Sequence, residues 1–173
     1  IGSIEGMTYE SASRFAGLSN LEQLNLQNNS ITSLFEDFTL TNLRMLNLSH
    51  NKINLLQKID LQYLQKESLE IDLRHNQITE INFRQDIDEN DLSRKEVLLD
   101  HNPIKCDCHL LHFIKFIINQ TKSVKKSPIV IDIQNLKCAS PSRMEGKDLS
   151  ALGPLDLKCF IDDANSHMQK RCP

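Results

Sequence analysis

The chain carries a repeated spacing of apolar residues and asparagine, and two copies match at every position. They read Leu21-xx-Leu24-x-Leu26-xx-Asn29-x-Ile31-xx-Leu34 and Leu43-xx-Leu46-x-Leu48-xx-Asn51-x-Ile53-xx-Leu56. Alternate residues of a β-strand point to the same face. Each Leu-x-Leu therefore predicts a short strand whose leucines point inward and whose neighbouring residues point outward.

Two later copies keep most of this pattern. They read Ile71-x-Leu73-xx-Asn76-x-Ile78-xx-Ile81 and Val97-x-Leu99-xx-Asn102-x-Ile104. The spacing of the first two copies assigns their first position to Ser68 and Arg94 instead of Leu. The asparagines lie 22, 25 and 26 residues apart, and the pattern resembles the leucine-rich repeat, whose period is about 20 to 29 residues. This resemblance implies an α/β fold, a right-handed leucine-rich-repeat solenoid with short parallel strands.

One such repeat cannot bury its own apolar face, so we expect successive turns to stack and share one core. The four asparagines Asn29, Asn51, Asn76 and Asn102 then form a ladder where the chain leaves each strand. Their amides can bind backbone groups that the turn leaves without partners. Replacing Asn51 with Leu should cost about 1–3 kcal/mol.

Apolar residues between the predicted strands are expected to fill the convex side of the core. They are Phe15, Leu18, Phe38, Leu40, Leu61 and Leu64. Ile1 and Ile4 have the spacing that follows the ladder asparagine in the other copies. We therefore expect residues 1–104 to be a repeat block that starts in the middle of a repeat and comes from a longer solenoid.

Composition, charge and the motifs that are absent argue against several classes of function. Leu, Ile and Asn number 25, 17 and 15, and the net charge of −3 gives no electrostatic reason to expect a nucleic-acid partner. No apolar run approaches the roughly 18 residues of a membrane span, so we expect no direct membrane insertion.

The segment Asp86-x-Asp88-x-Asn90 begins like a calcium loop, but Asp91 and Val97 replace the required Gly and Glu. With no phosphate loop or nucleophile elbow, we expect no enzyme, catalytic residue, cofactor or metal.

Four cysteines, Cys106, Cys108, Cys138 and Cys159, crowd into the last third of the chain. Their spacing leaves three disulfide pairings open. Cys106, Cys108, His109 and His112 could alternatively bind zinc. Residues 109–118 predict a helix that closes the open end of the solenoid. The helix face consists of Leu110, Phe113, Ile114 and Ile117.

The cysteine pattern resembles the C-terminal cysteine cap of extracellular leucine-rich-repeat proteins. That resemblance implies the disulfides Cys106–Cys138 and Cys108–Cys159, each worth roughly 4 kcal/mol by chain entropy. It places the α-helical, disulfide-bonded cap at residues 105–160. Cys172-Pro173 follows this cap and resembles the Cys-Pro that opens a further N-terminal cap in Toll receptors, so we expect residues 161–173 to be a linker and the start of that cap, with Cys172 unpaired within this chain.

The run from Leu98 to Cys108, together with His112-Phe113-Ile114, resembles the cap of insect Toll receptors. Such a receptor is a single-pass plasma-membrane protein of innate immunity and development. The resemblance implies an extracellular segment, a dimeric cystine-knot cytokine of the Spätzle type as ligand, and a second receptor ectodomain as partner. A Slit-like guidance or adhesion protein is the alternative.

Residues beside the strand leucines are expected to form the concave face. The binding candidates there are Asn25, Asn47, Glu70, Asp72, Arg74, Glu96 and Leu98. The predicted face becomes more acidic toward the cap, so it is either a surface that steers a basic partner or a solvated face.

The sequence contains three N-glycosylation sequons, which agree with a secreted protein. The sequons at Asn28, Asn47 and Asn119 predict N-linked glycans, and a glycan on Asn47 would obstruct the concave face.

His50, His75 and His101 each precede a ladder asparagine. Stacked turns would place them about 5 Å apart, either as ordinary surface histidines or as a switch that responds near pH 6.

Overall fold

The computed structural model describes residues 20–34, 42–62, 68–83, 94–122 and 129–157, and the structural statements below concern these residues. Their regular elements, in chain order, are the strands β1 (Gln23–Asn25), β2 (Met45–Asn47) and β3 (Leu55–Gln57), helix α1 (Lys58–Gln62), the strands β4 (Leu69–Asp72), β5 (Glu80–Asn82), β6 (Lys95–Leu98) and β7 (Ile104–Lys105), helix α2 (Leu111–Lys122), and the strands β8 (Ile129–Asp132) and β9 (Cys138–Ser140). Short 3-10 turns occupy Cys108–Leu110 and Leu149–Ala151.

Five strands form one parallel sheet in the order β1-β2-β4-β6-β8. The register aligns Leu24 with Leu46, Leu46 with Ile71, and Ile71 with Val97, so equivalent repeat positions lie side by side. This arrangement confirms the predicted solenoid of short parallel strands.

Two smaller pairs of parallel strands lie outside the main sheet. β3 pairs with β5 after the ladder asparagines, and β7 pairs with β9 inside the cap. Helix α1 follows β3 directly and buries Leu61 completely. The other five predicted convex residues lie outside the described residues.

The core is one continuous apolar column shared by all the turns. Leu46, Ile71 and Val97 are fully buried, as are the matching second leucines Leu48, Leu73 and Leu99. Each turn covers the apolar face of its neighbour, so the stability of one turn depends on the next.

The first repeat position differs from the sequence-based assignment. Ser68 and Arg94 are exposed, whereas Leu69 and Lys95, one residue later, are 2% and 1% exposed. Ser68 has a φ of +69°, and Leu69 aligns with Lys95 in the sheet. The register keeps Glu70 opposite Met45 and Glu96 opposite Glu70, so the spacing of the repeat is unchanged at the strand centres. What differs from the first two copies is burial, because in these two turns the buried side chain lies one residue after the position that the spacing assigns.

The cap closes the sheet with both a helix and a strand. The helix predicted for 109–118 begins as the 3-10 turn and continues in α2, which ends at Lys122. Phe113 is fully buried and its ring meets the Phe83 ring edge-on at 5.2 Å. Strand β8, which the sequence did not reveal, pairs with β6 and extends the main sheet into the cap.

Candidate recognition surface

The outward residues of the main sheet form a central row across all five strands. The register places Glu70 and Glu96 in the middle of this row, and both are exposed. Met45 and Val130 flank them and are 38% and 37% exposed. The centre of the concave face thus presents two neighbouring carboxylates between two partly exposed apolar side chains.

A second row performs a structural task. In four turns an Asn or Asp side chain accepts a hydrogen bond from the backbone N–H two residues later, at 3.0 Å in each case. The accepting residues are Asn25, Asn47, Asp72 and Asp132. Such Asx bonds close the turn at the end of the strand. Three of the predicted binding candidates therefore have a structural role, because their side chains stabilise the turns. They are Asn25, Asn47 and Asp72.

Leu98 occupies the same row and is half-buried. It has no side-chain acceptor, so the Asx bond found in the neighbouring turns is replaced here by an apolar contact surface. Among the predicted candidates in this row, Leu98 offers an apolar side chain that an apolar group of a partner could contact.

Asp72 and Arg74 are joined by an ion pair. Arg74 donates from Nε and Nη2 to the two carboxylate oxygens at 2.9 and 2.7 Å. Burial alone would raise the pKa of Asp72, but the hydrogen bonds and the charge of Arg74 hold that pKa below its ordinary value. The predicted negative charge of Asp72 is thus neutralised locally, and the exposed carboxylates of the central row are those of Glu70 and Glu96.

This pair predicts a pH effect on stability. The lowered pKa means that Asp72 stabilises the fold above its unfolded pKa of about 3.9, and that this contribution disappears as the pH falls through the lower folded pKa. Asn47 plays the same structural role in the adjacent turn, so Asp72→Asn should fold. We expect the variant to lose about 0.5–1 kcal/mol at pH 7 and to show a smaller drop in Tm between pH 5 and pH 2. A drop equal to that of the unaltered protein would contradict the assignment.

The ladder asparagines bind the backbone of two turns at once. The amide nitrogen of Asn51 donates to Leu26 O and Leu48 O at 3.0 Å each, and its Oδ1 accepts from the N–H of Ile31 at 3.0 Å. Asn76 and Asn102 repeat these bonds one and two turns further on. Asn29 is half-buried and donates to Leu26 O at 2.8 Å.

The cap contains the disulfide Cys106–Cys138, which joins residues 32 apart in the sequence. It lies beside the β7–β9 pair and fastens the last repeat to the cap. Because Cys106 is oxidised, its sulfur is not available as a zinc thiolate, and the alternative zinc site at Cys106, Cys108, His109 and His112 is wrong.

Cys108 is buried, and its Sγ lies 3.6 Å from Leu157 O, two residues before Cys159 in the sequence. Cys159 and Cys172 lie outside the described residues. The pairing of Cys108 with Cys159, implied by the resemblance, therefore stays a prediction.

Asp107 fixes the start of the cap. Its carboxylate accepts from the N–H of His109 and from Lys105 Nζ, both at 2.8 Å. Burial opposes ionisation, but the bonds from Lys105 and His109 keep the pKa of Asp107 below its ordinary value. His109 contacts the same carboxylate through Nδ1, so it serves this cap rather than a metal.

The three sequons lie in different surroundings. Asn28 is exposed in a turn with a φ of +57°, and Asn119 is exposed on α2. Asn47 is half-buried on β2, and its Oδ1 accepts from both N and Oγ of Ser49. Asn28 and Asn119 are therefore the more accessible acceptors.

No helix within the described ranges is long and apolar enough to cross a membrane. The same ranges contain no group of three His, Cys, Asp or Glu side chains arranged to hold a metal ion. The calcium-like segment starting at Asp86 falls largely outside them.

Comparison with known proteins agrees with this architecture. The leucine rich repeat family model matches residues 11–53, and the parallel sheet with its asparagine ladder extends the same pattern to Asn102. The chain has the fold of leucine-rich repeat proteins. It is 30% identical to the Toll protein of Drosophila melanogaster over 166 residues, which cover 93% of this chain and 15% of Toll.

Solved structures give the same result. The glycosylated Toll–Spätzle complex matches with a TM-score of 0.68 and 31% identity, over 83% of this chain and 19% of that one. Human trophoblast glycoprotein, 5T4, matches with a TM-score of 0.62 and 25% identity over 83% of this chain and half of its own. The predicted resemblance to Toll ectodomains is confirmed, and this leucine-rich-repeat chain spans a small part of Toll.

Proposed function

We propose that the chain is a ligand-recognition and scaffold segment of a Toll-type receptor ectodomain. The similarity to Drosophila Toll over 93% of the chain carries this proposal. The parent would be a single-pass plasma-membrane receptor of innate immunity and development, with this segment outside the cell. The disulfide supports that location, because such bonds persist in oxidising compartments.

The proposed ligand is a dimeric cystine-knot cytokine of the Spätzle type, which would bring two receptor ectodomains together. The support is that the similar Toll structures are complexes of Toll with Spätzle. N-linked glycans at Asn28 and Asn119 are part of this proposal. A catalytic role is not, since the chain resembles receptor-type repeat proteins.

The surface on this segment that best suits a contact is the centre of the concave face. Glu70 and Glu96 are exposed and adjacent in the sheet, and Leu98 and Val130 offer partly exposed apolar surface beside them. Carboxylates in such a position attract a basic partner and raise the association rate, an effect that salt weakens.

A binding experiment on the receptor ectodomain that contains this chain tests both levels of the proposal. The double variant Glu70→Lys/Glu96→Lys reverses the concave charge, and Glu80→Lys/Glu145→Lys makes the same net change at two exposed sites outside the main sheet. If the concave face contacts the cytokine, the first variant should lower the association rate about tenfold or more at low salt, while the second leaves it unchanged.

The outcomes separate the two levels. Binding that both variants leave intact would remove this surface and keep a scaffold role for the segment. An ectodomain that fails to bind any dimeric cystine-knot cytokine would contradict the receptor proposal itself.

A second candidate is a cell-surface repeat protein of the trophoblast glycoprotein type. The observation in its favour is the match to the mouse protein, 28% identical over 83% of this chain and 27% of that protein. The Slit-like alternative is also a cell-surface recognition role. Neither alternative predicts binding of a Spätzle-type cytokine, so the same experiment separates the Toll-type proposal from both of them.

A further inference from the structure

Three histidines form a continuous stack along the turn that follows the main sheet. The rings of His50 and His75 lie 4.3 Å apart at 9° between planes, and those of His75 and His101 lie 4.3 Å apart at 12°. The stack follows from the solenoid, because each histidine occupies the same position in its repeat. Three titratable rings are therefore held in direct contact on the surface.

The backbone holds the three residues in place. Their φ values are +56°, +56° and +60°, a left-handed conformation in which Asn, Asp and His are enriched among the residues other than Gly. The N–H of His50 donates to Arg74 O and that of His75 donates to Asp100 O, both at 3.0 Å. These backbone hydrogen bonds tie His50 and His75 to the turn that follows each of them.

The equivalent residue in the preceding turn is Asn28, with a φ of +57°. The backbone of this row therefore accepts Asn as well as His, although Asn does not titrate. An imidazole side chain is not needed to build the turn, and its replacement by Asn is a matched neutral substitution.

Charge in this row acts against protonation of the middle ring. Desolvation lowers the pKa of His75 most. The charges of His101, His50 and Arg74 lower this pKa further, whereas the charge of Asp72 raises it. Asp72 is already paired with Arg74 at 2.7 Å, and Arg74 also interacts electrostatically with Asp100 and Glu70. The carboxylates near the stack are thus partly offset by a permanent cation.

We propose that the His50–His75–His101 stack is an acid-sensitive element that tightens the solenoid when neutral and loosens it when protonated. Neutral imidazoles stack favourably, whereas adjacent imidazolium ions repel each other. The unfolded chain binds protons at a histidine pKa of about 6.5, and the pKa of His75 in the folded chain is lower. The stabilising contribution is therefore complete above about pH 6.5 and is lost as the pH falls below it.

The loosening reaches the core through the neighbouring residues. His75 directly precedes Asn76, whose amide binds Leu48 O and Leu73 O and whose Oδ1 accepts from the Ile53 N–H. A change in the His75 backbone would disturb bonds that connect two turns. This inference does not depend on the identity of the ligand, and it can fail without affecting the proposed function.

Thermal melts at pH 7.5 and 5.5 test the proposal. His75→Asn removes both ring contacts, and His50→Asn leaves the single pair His75–His101. We expect the Tm of the unaltered protein to fall by about 2–4 °C more than that of His75→Asn, with His50→Asn in between. A fall of equal size in all three proteins, or no fall in the unaltered one, would overturn the proposal.

An NMR titration of the imidazoles provides a test that needs no variant. His75 should become protonated at a lower pH than the ordinary histidine pKa of about 6.5. A His75 that titrates at or above that value would overturn the proposal even if the variants fail to fold.

Discussion

Removing the Cys106–Cys138 disulfide should lower the free energy of unfolding by about 4 kcal/mol, the largest effect that we expect from any change in the described residues. The bond joins residues 32 apart, and a loop of this length has that cost by chain entropy. It also fastens β9 against β7, so its loss should loosen the cap on the last repeat. The measurement is denaturant unfolding of Cys106→Ala/Cys138→Ala, which avoids leaving one reactive thiol.

Cys172→Ala is the control for this change. The sequence leaves that cysteine without a predicted partner in the chain, so the substitution should alter the unfolding free energy by less than about 0.5 kcal/mol. A double variant as stable as the unaltered protein would show that the disulfide does not secure the cap. A comparable loss in Cys172→Ala would show that Cys172 has a structural partner.

Replacing Asn51 with Leu should cost about 3 kcal/mol, at the upper end of the range expected from the sequence. Asn51 is 6% exposed, and its side-chain amide joins two turns. Leu26 O keeps a bond from Asn29, and Leu48 O keeps one from Asn76. The N–H of Ile31 has no second acceptor of this kind, since it donates to Asn51 Oδ1, and leaving a buried donor unsatisfied costs about 1–3 kcal/mol.

Gln27→Leu is the control for the ladder, because Gln27 is exposed in the same turn region and the change adds the same apolar side chain. Its effect on the unfolding free energy should stay within about 0.5 kcal/mol. Equal stability of Asn51→Leu and Gln27→Leu would contradict the role given to the ladder.

The solenoid could be predicted because its signal is periodic and long. Leu46, Ile71 and Val97 recur at the same place in each repeat, and one turn can bury them only against another. The histidine stack follows from the same period, since His75 must lie between His50 and His101 once the turns stack. The Cys106–Cys138 bond is different: the spacing alone left three pairings, and the family resemblance selected this one.

Features set by local geometry were missed. The sequence does not reveal that Leu69 and Lys95 are buried while Ser68 and Arg94 are exposed, because the repeat spacing is unchanged at the strand centres and burial depends on the local backbone, which is left-handed at Ser68. Strand β8 was also missed, since Ile129–Asp132 is too short to distinguish from loop without its partner β6.

The concave face shows a third limit. Asn25, Asn47 and Asp72 were chosen for their outward position, but their side chains accept backbone hydrogen bonds two residues later. Polar residues at strand ends serve turns as readily as partners. The regular recurrence of Asn or Asp two residues before the turn could have indicated the structural role.

Hydrogen exchange tests the central claim, that successive turns are joined into one solenoid by buried asparagines. The backbone amides of Ile31, Ile53 and Ile78 each donate to the ladder asparagine of the following turn, at 3.0, 3.1 and 3.0 Å. They should exchange as slowly as the strand amides of Leu46 and Ile71. Exchange of these three amides at the rate of an unstructured chain would contradict the account.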